Sequence, residues 1–314
     1  MKIAIFSQHS GKYTNDILLE LFSLKDKYGL EIFLEKEFVS ILNEDLNSTN
    51  KFDIFSSYKD LDNSFKLMIT IGGDGTLLRS IAFVKDLQIP IIGINTGRLG
   101  FLATLNRESL KPKLEKIIKG EYQIENRTLL EVNVKEKTDF AFALNEITVG
   151  RKNTTSMIKI KTNLNGDFLN SYWADGLIIS TPTGSTGYSL SCGGPIMSPK
   201  SQTLALTPIA PHNLNARPII IPDDIEIELI VSGREDFHFL SLDSRIISVK
   251  NEDIIKINIQ AKNEGDNPPQ KKIVKRSYLL LNFRVRSPPL GCRFPLHIPS
   301  DHLSDFWTEN DFST

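Results

Sequence analysis

The sequence predicts an α/β N-terminal domain with a parallel sheet, followed by a mostly antiparallel β C-terminal domain. Apolar strand-like runs alternate with helix-like segments as far as Gly120. Beyond Gly120 the helical periodicity stops, and short apolar runs are separated by Asp, Asn and Gly turns. We expect domains at residues 1–121 and 122–262, and an atypical tail at residues 263–314 that is either frameshifted or disordered.

The first domain is expected to contain four apolar strands interleaved with helices. KIAIF is the first strand, and the helix TNDILLELFSLKDKYG follows it, with Thr14 or Asn15 as N-cap and Gly29 as its end. LEIFL, KLMITI and IPIIGIN are the later strands. ESLKPKLEKIIKG is a helix in which Pro112 is tolerated because it lies in the first turn. This alternation implies a parallel sheet that is covered on both faces.

The second domain is expected to be built from short antiparallel strands. FAFALNEITVG alternates apolar and other side chains, as a half-buried strand does. Asn165 and Gly166 lie between two apolar runs, which is the strongest short-range hairpin signal. RPIIIPDDIEIELIVSG, FHFLSLDSRIISVK and NEDIIKINIQ continue the pattern, so residues 122–260 are predicted to be mainly antiparallel β.

Composition argues against several classes of partner. The chain has 314 residues and a formal net charge of −1, which gives no electrostatic reason to expect nucleic acid or an anionic membrane. Its two cysteines, Cys192 and Cys292, are too few for a disulfide framework or a zinc cluster. The start of the chain lacks a signal peptide and no later run is long enough to span a bilayer, so a cytoplasmic protein is expected.

The first glycine-rich site is TIGGDGT, which follows an apolar strand and opens a helix. Gly72, Gly73 and Gly75 let a ligand approach the backbone, and free amides at a helix start can face a phosphate. Asp74 would repel a bare anion, so it is expected to meet a hydroxyl proton or a metal shell. Because the Walker lysine is absent and Arg79 is the nearest cation, a divalent metal is expected to neutralise the phosphate. An ordinary tight turn after a strand is the alternative.

The second glycine-rich site is TPTGSTGYSLSCGGP, which follows the strand-like run DGLIIS. Eight hydroxyl-bearing residues lie from Ser180 to Ser191, and hydroxyls can both donate to and accept from a base or a sugar. Tyr188 adds a ring face for stacking. The alternative is a turn rich in Ser and Thr that caps its own helix. A hydrolase with Ser185 as nucleophile is disfavoured, because the Gly-x-Ser-x-Gly spacing is missing and no histidine partner is evident.

The third motif, LNEITVG, ends an alternating strand, where Asn145 and Glu146 can reach the rim of a domain interface. A solvated turn is the ordinary alternative for such a pair. Taken in order, GGDGT, LNEITVG and ADGLIISTPTGSTGYSLSCGGPI resemble the motifs of the NAD kinases, particularly the bacterial ATP-NAD kinases. The resemblance covers about residues 1–260, and the hydroxyl-rich motif is long enough to be highly specific.

The resemblance implies that ATP and a divalent metal, expected to be magnesium, are used to phosphorylate the adenosine ribose 2′-hydroxyl of NAD, giving NADP. It also implies an active site between the two domains, small nucleotides as ligands, and a homodimer or homotetramer. Asp74 is implied as the acid that accepts or orients the hydroxyl proton, and Asn145 and Glu146 as ligands of ribose hydroxyls. The other implied substrate contacts are Gly72, Gly73, Gly75, Arg79, Asp175, Thr183, Thr186, Gly187, Tyr188, Ser189, Leu190 and Ser191.

Two alternative functions stay open beside that resemblance. Other kinases of the GGDGT group, with lipid or sugar-phosphate substrates, share the first motif but are not expected to carry the hydroxyl-rich one. A catalytically silent NAD-binding protein would keep the site without turnover. Ala174 stands where many relatives have Gly, and Trp173 and Ser156 stand where some have basic side chains, so the last two are left out of the site.

The tail departs most from the family pattern. Relatives usually end in Leu-Arg-x-Lys-Leu-x-Trp-Gly, whereas this chain ends in NFRVRSPPLGCRFPLHIPSDHLSDFWTENDFST, in which prolines interrupt any helical period. One coding of LGCRFPL, read one base later, begins Trp-Gly-Val-Asp. We therefore hypothesise a frameshift that begins somewhere after about Gln260, with a genuine divergent tail as the alternative. Sequencing the 3′ end of the gene distinguishes the two.

Overall fold

The computed structural model describes most of the chain, and Met1–Phe283 forms one compact unit. The described residues are 1–43, 52–85, 87–97, 100–105, 110–135, 141–152 and 155–259, together with the backbone of 261–262, 274–275 and 277–282. The hypothesis of a frameshifted end falls mainly on residues outside this set, and it stays a prediction.

A mostly parallel sheet organises the first part of the chain. Its strands, numbered in chain order, are β1 (Lys2–Ser7), β2 (Glu31–Glu35), β3 (Asp53–Phe55), β4 (Phe65–Ile71), β5 (Ile91–Ile94), β6 (Gln123–Thr128) and β21 (Ser277–Asn282). They lie in the order β3-β2-β1-β4-β5-β21-β6, and every pairing is parallel except that of β21 with β6. Strands β1, β4 and β5 are nearly continuous apolar runs because helices and loops cover both faces of the sheet. The predicted parallel sheet is confirmed.

Two strands of this sheet lie outside the range from which it was predicted. Strand β6 comes after the expected boundary at residue 121, and β21 lies within the segment treated as an atypical tail. Strand β6 was missed because it is polar except for Ile124 and so carries no apolar strand pattern, and β21 was missed because all the antiparallel strands of the second part of the chain separate it from its neighbours in the sheet. The chain therefore returns to its first sheet after completing the antiparallel strands.

The helices are short apart from the first. They are α1 (Lys12–Tyr28), α2 (Lys36–Ser40), α3 (Asp74–Val84), α4 (Leu110–Ile118) and α5 (Tyr188–Ser191), with 3-10 turns at Tyr58–Asp60 and Gly184–Thr186. The predicted N-cap of α1 at Thr14 or Asn15 is wrong, because the Gly11 carbonyl already accepts the Asn15 N–H at 2.9 Å and starts the helix earlier. Its predicted end is confirmed, since Gly29 adopts the left-handed conformation with φ 60°. None of the described helices is long and apolar enough to cross a bilayer.

The remaining strands form two antiparallel sheets and one short pair. They are β7 (Leu130–Asn133), β8 (Phe142–Ala143), β9 (Glu146–Gly150), β10 (Ile158–Leu164), β11 (Asp167–Ala174), β12 (Gly176–Ser180), β13 (Thr203–Ile209), β14 (Ile219–Pro222), β15 (Ile227–Ser232), β16 (Phe237–Leu242), β17 (Arg245–Lys250), β18 (Ile254–Ile259), β19 (Ala261–Lys262) and β20 (Val274–Lys275). The sheet orders are β11-β10-β15-β18-β7-β8 and β14-β13-β12-β9-β16-β17, and their apolar faces share one core. The predicted hairpin turn is confirmed, because Asn165 and Gly166 both have positive φ between β10 and β11.

A separate apolar cluster joins the first sheet to the start of β9. Leu77 of α3, Leu102 from the loop after β5, and Leu144 just before β9 are buried in this cluster together with Phe6 and Phe142. Because these side chains pack together, the amino end of α3 and the Asn145–Glu146 segment are held on neighbouring parts of one core. This packing positions the candidate site.

Candidate functional site

The carboxylate of Asp74 is held by three consecutive backbone amides. Asp74 is the first residue of α3, and its oxygens accept hydrogen bonds from the N–H groups of Phe101 (2.7 Å), Leu102 (3.0 Å) and Ala103 (2.9 Å). A side-chain carbon at Gly100 would overlap this carboxylate, so the loop can close on the acid only with glycine at that position. The acid is therefore fixed by backbone groups.

This arrangement leaves the Asp74 carboxylate able to accept one further hydrogen bond. An ionised carboxylate offers about four lone-pair sites, and three of them are used by the amides. Asp74 remains partly exposed, so its free acceptor site can receive one more proton donor from a ligand. A substrate hydroxyl fits that requirement, whereas a bare phosphate oxygen would meet negative charge. The sequence-based interpretation of Asp74 as a partner of a hydroxyl is thus physically consistent with its surroundings.

A cavity of about 670 Å³ opens beside α3. Arg79 lies on its wall, and the Gln8 side-chain oxygen, in the amide orientation that satisfies both groups, accepts from Arg79 Nε at 3.1 Å and Nη1 at 2.7 Å. Phe6 and Ile41 supply apolar surface, and the turn between β16 and β17 contributes Asp243, Ser244 and Arg245. Glu35 and Glu37 also line the cavity, so its wall combines apolar surface with both cations and carboxylates, and its volume is typical of a site for a small molecule.

Asn145 and Glu146 stand at the start of β9 with buried acceptor atoms. Asn145 Oδ1 and Glu146 Oε2 are fully buried and have no hydrogen-bond partner among the described residues. Burial, and secondarily the charge of Asp243, raises the pKa of Glu146 to about 7. Unsatisfied buried acceptors are costly, so a ligand that brings hydroxyl donors to this place would relieve that cost.

The hydroxyl-rich segment packs directly against these two residues. Thr181 donates its hydroxyl to the Leu144 carbonyl at 2.6 Å and its N–H to the Asn145 carbonyl at 2.9 Å. A side-chain carbon at Gly184 would overlap the Asn145 backbone, which explains the glycine. A carbon at Gly187 would come within 3.2 Å of Glu146 Oε2. The segment therefore packs against both the backbone of Asn145 and the side chain of Glu146.

Several of its hydroxyls are used inside the protein. Ser185 donates to the Pro182 carbonyl at 2.7 Å, and the Ser189 hydroxyl shares a hydrogen bond of 2.9 Å with Thr207. Ser189 is fully buried, and Thr183 is nearly so. These hydrogen bonds shape the segment, although no side chain caps α5, while Tyr188, Leu190 and Ser191 are exposed at its surface. The segment thus combines an internally bonded frame with a few outward side chains.

Asp175 and Tyr188 are the next two residues of the predicted site. The Asp175 carboxylate forms an ion pair with Arg151 at 3.1 Å, and both side chains are about one third exposed. Burial raises the pKa of Tyr188, and Cys192 and the carboxylates of Asp175 and Glu146 add to the rise. The Tyr188 side chain is 46% exposed and the Asp175 carboxylate is partly exposed, so both can contact a ligand.

The predicted site residues fall into two groups in the structure. One group surrounds the amino end of α3 and consists of Gly72, Gly73, Asp74, Gly75 and Arg79. The other surrounds β9 and consists of Asn145, Glu146, Asp175, Thr183, Thr186, Gly187, Tyr188, Ser189, Leu190 and Ser191. Sequence reasoning missed the loop at Gly100–Ala103, although the glycines after β5 gave a signal, and it missed Asp243. Nothing in the local pattern around Asp243 distinguishes it from an ordinary turn residue.

Models of the two halves of one family match the chain. The ATP-NAD kinase N-terminal domain matches residues 23–122, and the ATP-NAD kinase C-terminal domain matches residues 144–264. An NAD kinase of Flavobacterium psychrophilum is 55% identical over 261 residues, which cover 82% of this chain and 89% of that protein. The chain belongs to the NAD kinase family.

Solved structures of NAD kinases share this fold. A yeast NADH kinase complexed with NADH has a TM-score of 0.77 at 24% identity, covering 91% of this chain and 84% of that one. An NAD kinase from Archaeoglobus fulgidus in complex with ATP has a TM-score of 0.64 at 25% identity, covering 83% of this chain and 90% of that one. Membership of the NAD kinase family makes the chain a phosphotransferase and removes the lipid and sugar-phosphate kinases as alternatives.

The donor set of this NAD kinase family member suits a metal that arrives with its nucleotide. Within the described ranges, no three His, Cys, Asp or Glu side chains cluster as metal ligands would. Mg²⁺ typically keeps several waters and binds one or two carboxylates together with substrate phosphates. Since the free acceptor site of Asp74 is left for a hydroxyl, the residues fit a magnesium ion held mainly by phosphate oxygens and water.

Proposed function

We propose that this chain transfers the γ-phosphoryl group of ATP to the adenosine ribose 2′-hydroxyl of NAD, giving NADP and ADP. The observation that carries the proposal is the fixed Asp74 carboxylate with one free acceptor site, together with the buried acceptors of Asn145 and Glu146, which have no hydrogen-bond partner among the described residues. Family membership supports the reaction type. The 2′-hydroxyl is then the donor that completes Asp74.

We infer that the acceptor nucleotide lies against β9 and the hydroxyl-rich segment. Asn145 and Glu146 accept hydrogen bonds from ribose hydroxyls, which satisfies acceptors that are otherwise buried without partners. The exposed face of Tyr188 stacks on a base, and Asp175 contributes a further polar contact near it. The hydroxyls that are bonded internally, such as that of Ser189, shape this surface without touching the ligand.

We infer that the donor nucleotide occupies the cavity beside α3. Arg79 and Arg245 line this cavity, and a triphosphate needs cationic neighbours to offset its charge. Apolar surface from Phe6 and Ile41 suits the purine ring. A divalent ion carried by the triphosphate would withdraw charge from the phosphoryl oxygens when it is bound. The donor then approaches Asp74 from the side of α3.

The protein's part in the reaction is to position the groups and to accept a proton. The ribose 2′-oxygen forms a bond to the γ-phosphorus while the bond from that phosphorus to the β,γ-bridging oxygen breaks, leaving ADP. The hydroxyl proton passes to the free acceptor site of Asp74 late in the step, since phosphoryl transfer is loose. General-base assistance is typically worth about 10²–10⁴ in rate, and most of the remainder is positioning.

The deciding experiment is incubation of the purified chain with NAD, ATP and magnesium chloride, followed by detection of NADP. Reactions without ATP, or with EDTA, provide the controls. NADP formation that depends on both ATP and the divalent ion supports the proposal. A chain that binds NAD but forms no NADP would be the catalytically silent alternative. An oligomer of two or four subunits in solution and a cytoplasmic location are further parts of the proposal.

A further inference from the structure

A carboxylate that lies outside the predicted motifs holds the Asn145–Glu146 segment. Asp243 Oδ1 accepts from the N–H groups of Asn145 (2.8 Å) and Glu146 (3.1 Å), and its Oδ2 accepts from the N–H of Leu144 (2.5 Å). Its own N–H donates to the Glu146 carbonyl at 3.3 Å. Four hydrogen bonds therefore connect one turn residue to the start of β9.

The backbone at Asp243 indicates that the side chain matters. Asp243 and Ser244 form the two-residue turn between β16 and β17, and both have positive φ, 46° and 70°. Such turns strongly prefer Asn-Gly, Asp-Gly or Gly-Gly, because left-handed backbone costs other residues about 1–2 kcal/mol each. Asp is tolerated there, but its contribution in this turn is the carboxylate that reaches β9.

The same carboxylate affects the electrostatics of Glu146. The Asp243 charge adds to burial in raising the pKa of Glu146 to about 7. Burial also raises the pKa of Asp243 itself, although the three amides and Arg245 oppose this rise. Arg245 in turn donates to the Phe142 carbonyl and lies over the Phe142 ring. The turn is thus anchored on both sides of the segment that it holds.

The turn also borders the cavity assigned to the donor. Asp243, Ser244 and Arg245 line that cavity together with Arg79. One short hairpin therefore touches the proposed donor site and, through three amides, fixes the residues that face the proposed acceptor site. Misplacement by about 1 Å can cost on the order of 10²-fold in rate, so such a connection matters for phosphoryl transfer.

We propose that Asp243 is a positioning residue that holds the Asn145 and Glu146 side chains in the geometry that receives the ribose hydroxyls of NAD. The inference rests on the proposed function, because it takes those hydroxyls as the ligand. Asp243 does not contact NAD in this role, although its turn borders the proposed donor site. It acts through the backbone of Leu144–Glu146.

The test is Asp243→Asn, measured by the dissociation constant of NAD and by the KM values of both substrates. The amide retains one acceptor and places an NH₂ group against a backbone N–H, so at least one charge-assisted hydrogen bond is lost. We expect the NAD dissociation constant to rise about ten-fold, with the KM for ATP changing less than about three-fold. Asp253→Asn is the matched control, because Asp253 is also a turn carboxylate of this region but pairs only with Lys135 among the described contacts of its side chain.

A double-mutant cycle separates positioning from a general structural role. Asp243→Asn is combined with Glu146→Gln, and the NAD dissociation constant is measured in both backgrounds. If Asp243 acts through Glu146 and Asn145, the rise in the NAD dissociation constant caused by Asp243→Asn should be at least about three-fold smaller in the Glu146→Gln background than in wild type. Equal effects in the two backgrounds, or an equal rise in the KM for ATP, would overturn the proposal.

A second variant covers the case in which Asp243→Asn fails to fold, as judged by circular dichroism and melting. Asp243→Glu keeps the charge but cannot place both oxygens on the same three amides, so the same rise in the NAD dissociation constant is expected. Unchanged NAD affinity in folded Asp243→Glu would contradict the positioning role. Because binding is measured separately from turnover, a wild-type chain that binds NAD without forming NADP would refute the proposed function and leave the test of Asp243 intact.

Discussion

Replacing Asp74 by Asn separates the chemical role of this carboxylate from its structural role. The amide oxygen can keep the Leu102 and Ala103 N–H donors, but the NH₂ group then faces the Phe101 N–H, which now lies 2.7 Å from a carboxylate oxygen. Losing one hydrogen bond to a charged acceptor costs about 1.5–3 kcal/mol of folding free energy. Losing the proton acceptor lowers kcat by about 10²–10⁴, which corresponds to about 2.7–5.4 kcal/mol of barrier.

The assay for Asp74→Asn measures NADP formation with an NADP-dependent dehydrogenase and NAD affinity by calorimetry. We expect kcat to fall by about 10²–10⁴ while the NAD dissociation constant stays within about three-fold of wild type. Gly100→Ala is the companion variant, because it leaves the charge in place but its methyl group overlaps the carboxylate and displaces it. It should lower kcat with little change in NAD affinity. Near-normal turnover in Asp74→Asn would refute the reasoning.

Three further predictions concern the remaining groups of the site. Burial raises the folded-state pKa of Glu146 from 4.5 to about 7. Between these two pH values the folded chain binds more protons than the unfolded chain, so the contribution of this carboxyl group to stability, at most about 3 kcal/mol, is lost as the pH rises from 4.5 through 7. The free energy of unfolding, measured with urea at several pH values, should decline less steeply with pH for Glu146→Gln than for wild type, and an equally steep decline would contradict the raised pKa of Glu146. Arg79→Ala should raise the KM for ATP at least five-fold more than the KM for NAD, as measured by initial rates, and equal changes would place Arg79 outside the donor site. Tyr188→Phe should bind NAD like wild type, whereas Tyr188→Ala should lose about ten-fold in NAD affinity, since stacking is worth about 1–3 kcal/mol per base. An equal loss of NAD affinity in both variants would mean that the hydroxyl group, and not the ring, contacts NAD.

The parallel sheet was predictable because its signals are local. Nearly continuous apolar runs such as β4 can be recognised within a few residues, and Gly29 marks a helix end by its conformational freedom. The N-cap of α1 was not predictable in the same way. Gly11 starts the helix without a side-chain hydrogen bond, so the sequence signal pointed to Thr14 or Asn15, which carry capping side chains but lie inside the helix.

The contacts that organise the site are long-range, and this limits what sequence alone can show. The amides that hold Asp74 lie 27–29 residues further along the chain, and those held by Asp243 lie 97–99 residues away. No periodicity links such partners. Sequence reasoning could find Asp74 because three glycines surround it, but Asp243 lies in a turn whose composition is unremarkable. The sequence also could not show that the Ser189 hydroxyl is hydrogen-bonded inside the protein, because its partner, Thr207, lies on strand β13.

The carboxylates of Asp74 and Asp243 are held in the same way, because each accepts hydrogen bonds from three consecutive backbone amides. Side-chain partners can change rotamer when a ligand arrives, whereas amides of a loop packed on a core cannot move independently. A site fixed in this way needs little reorganisation when substrates bind, and such preorganisation is where most catalytic stabilisation originates. It follows that glycines which permit the backbone to close on these groups, such as Gly100 and Gly184, should be as sensitive to substitution as the polar residues that face the ligand.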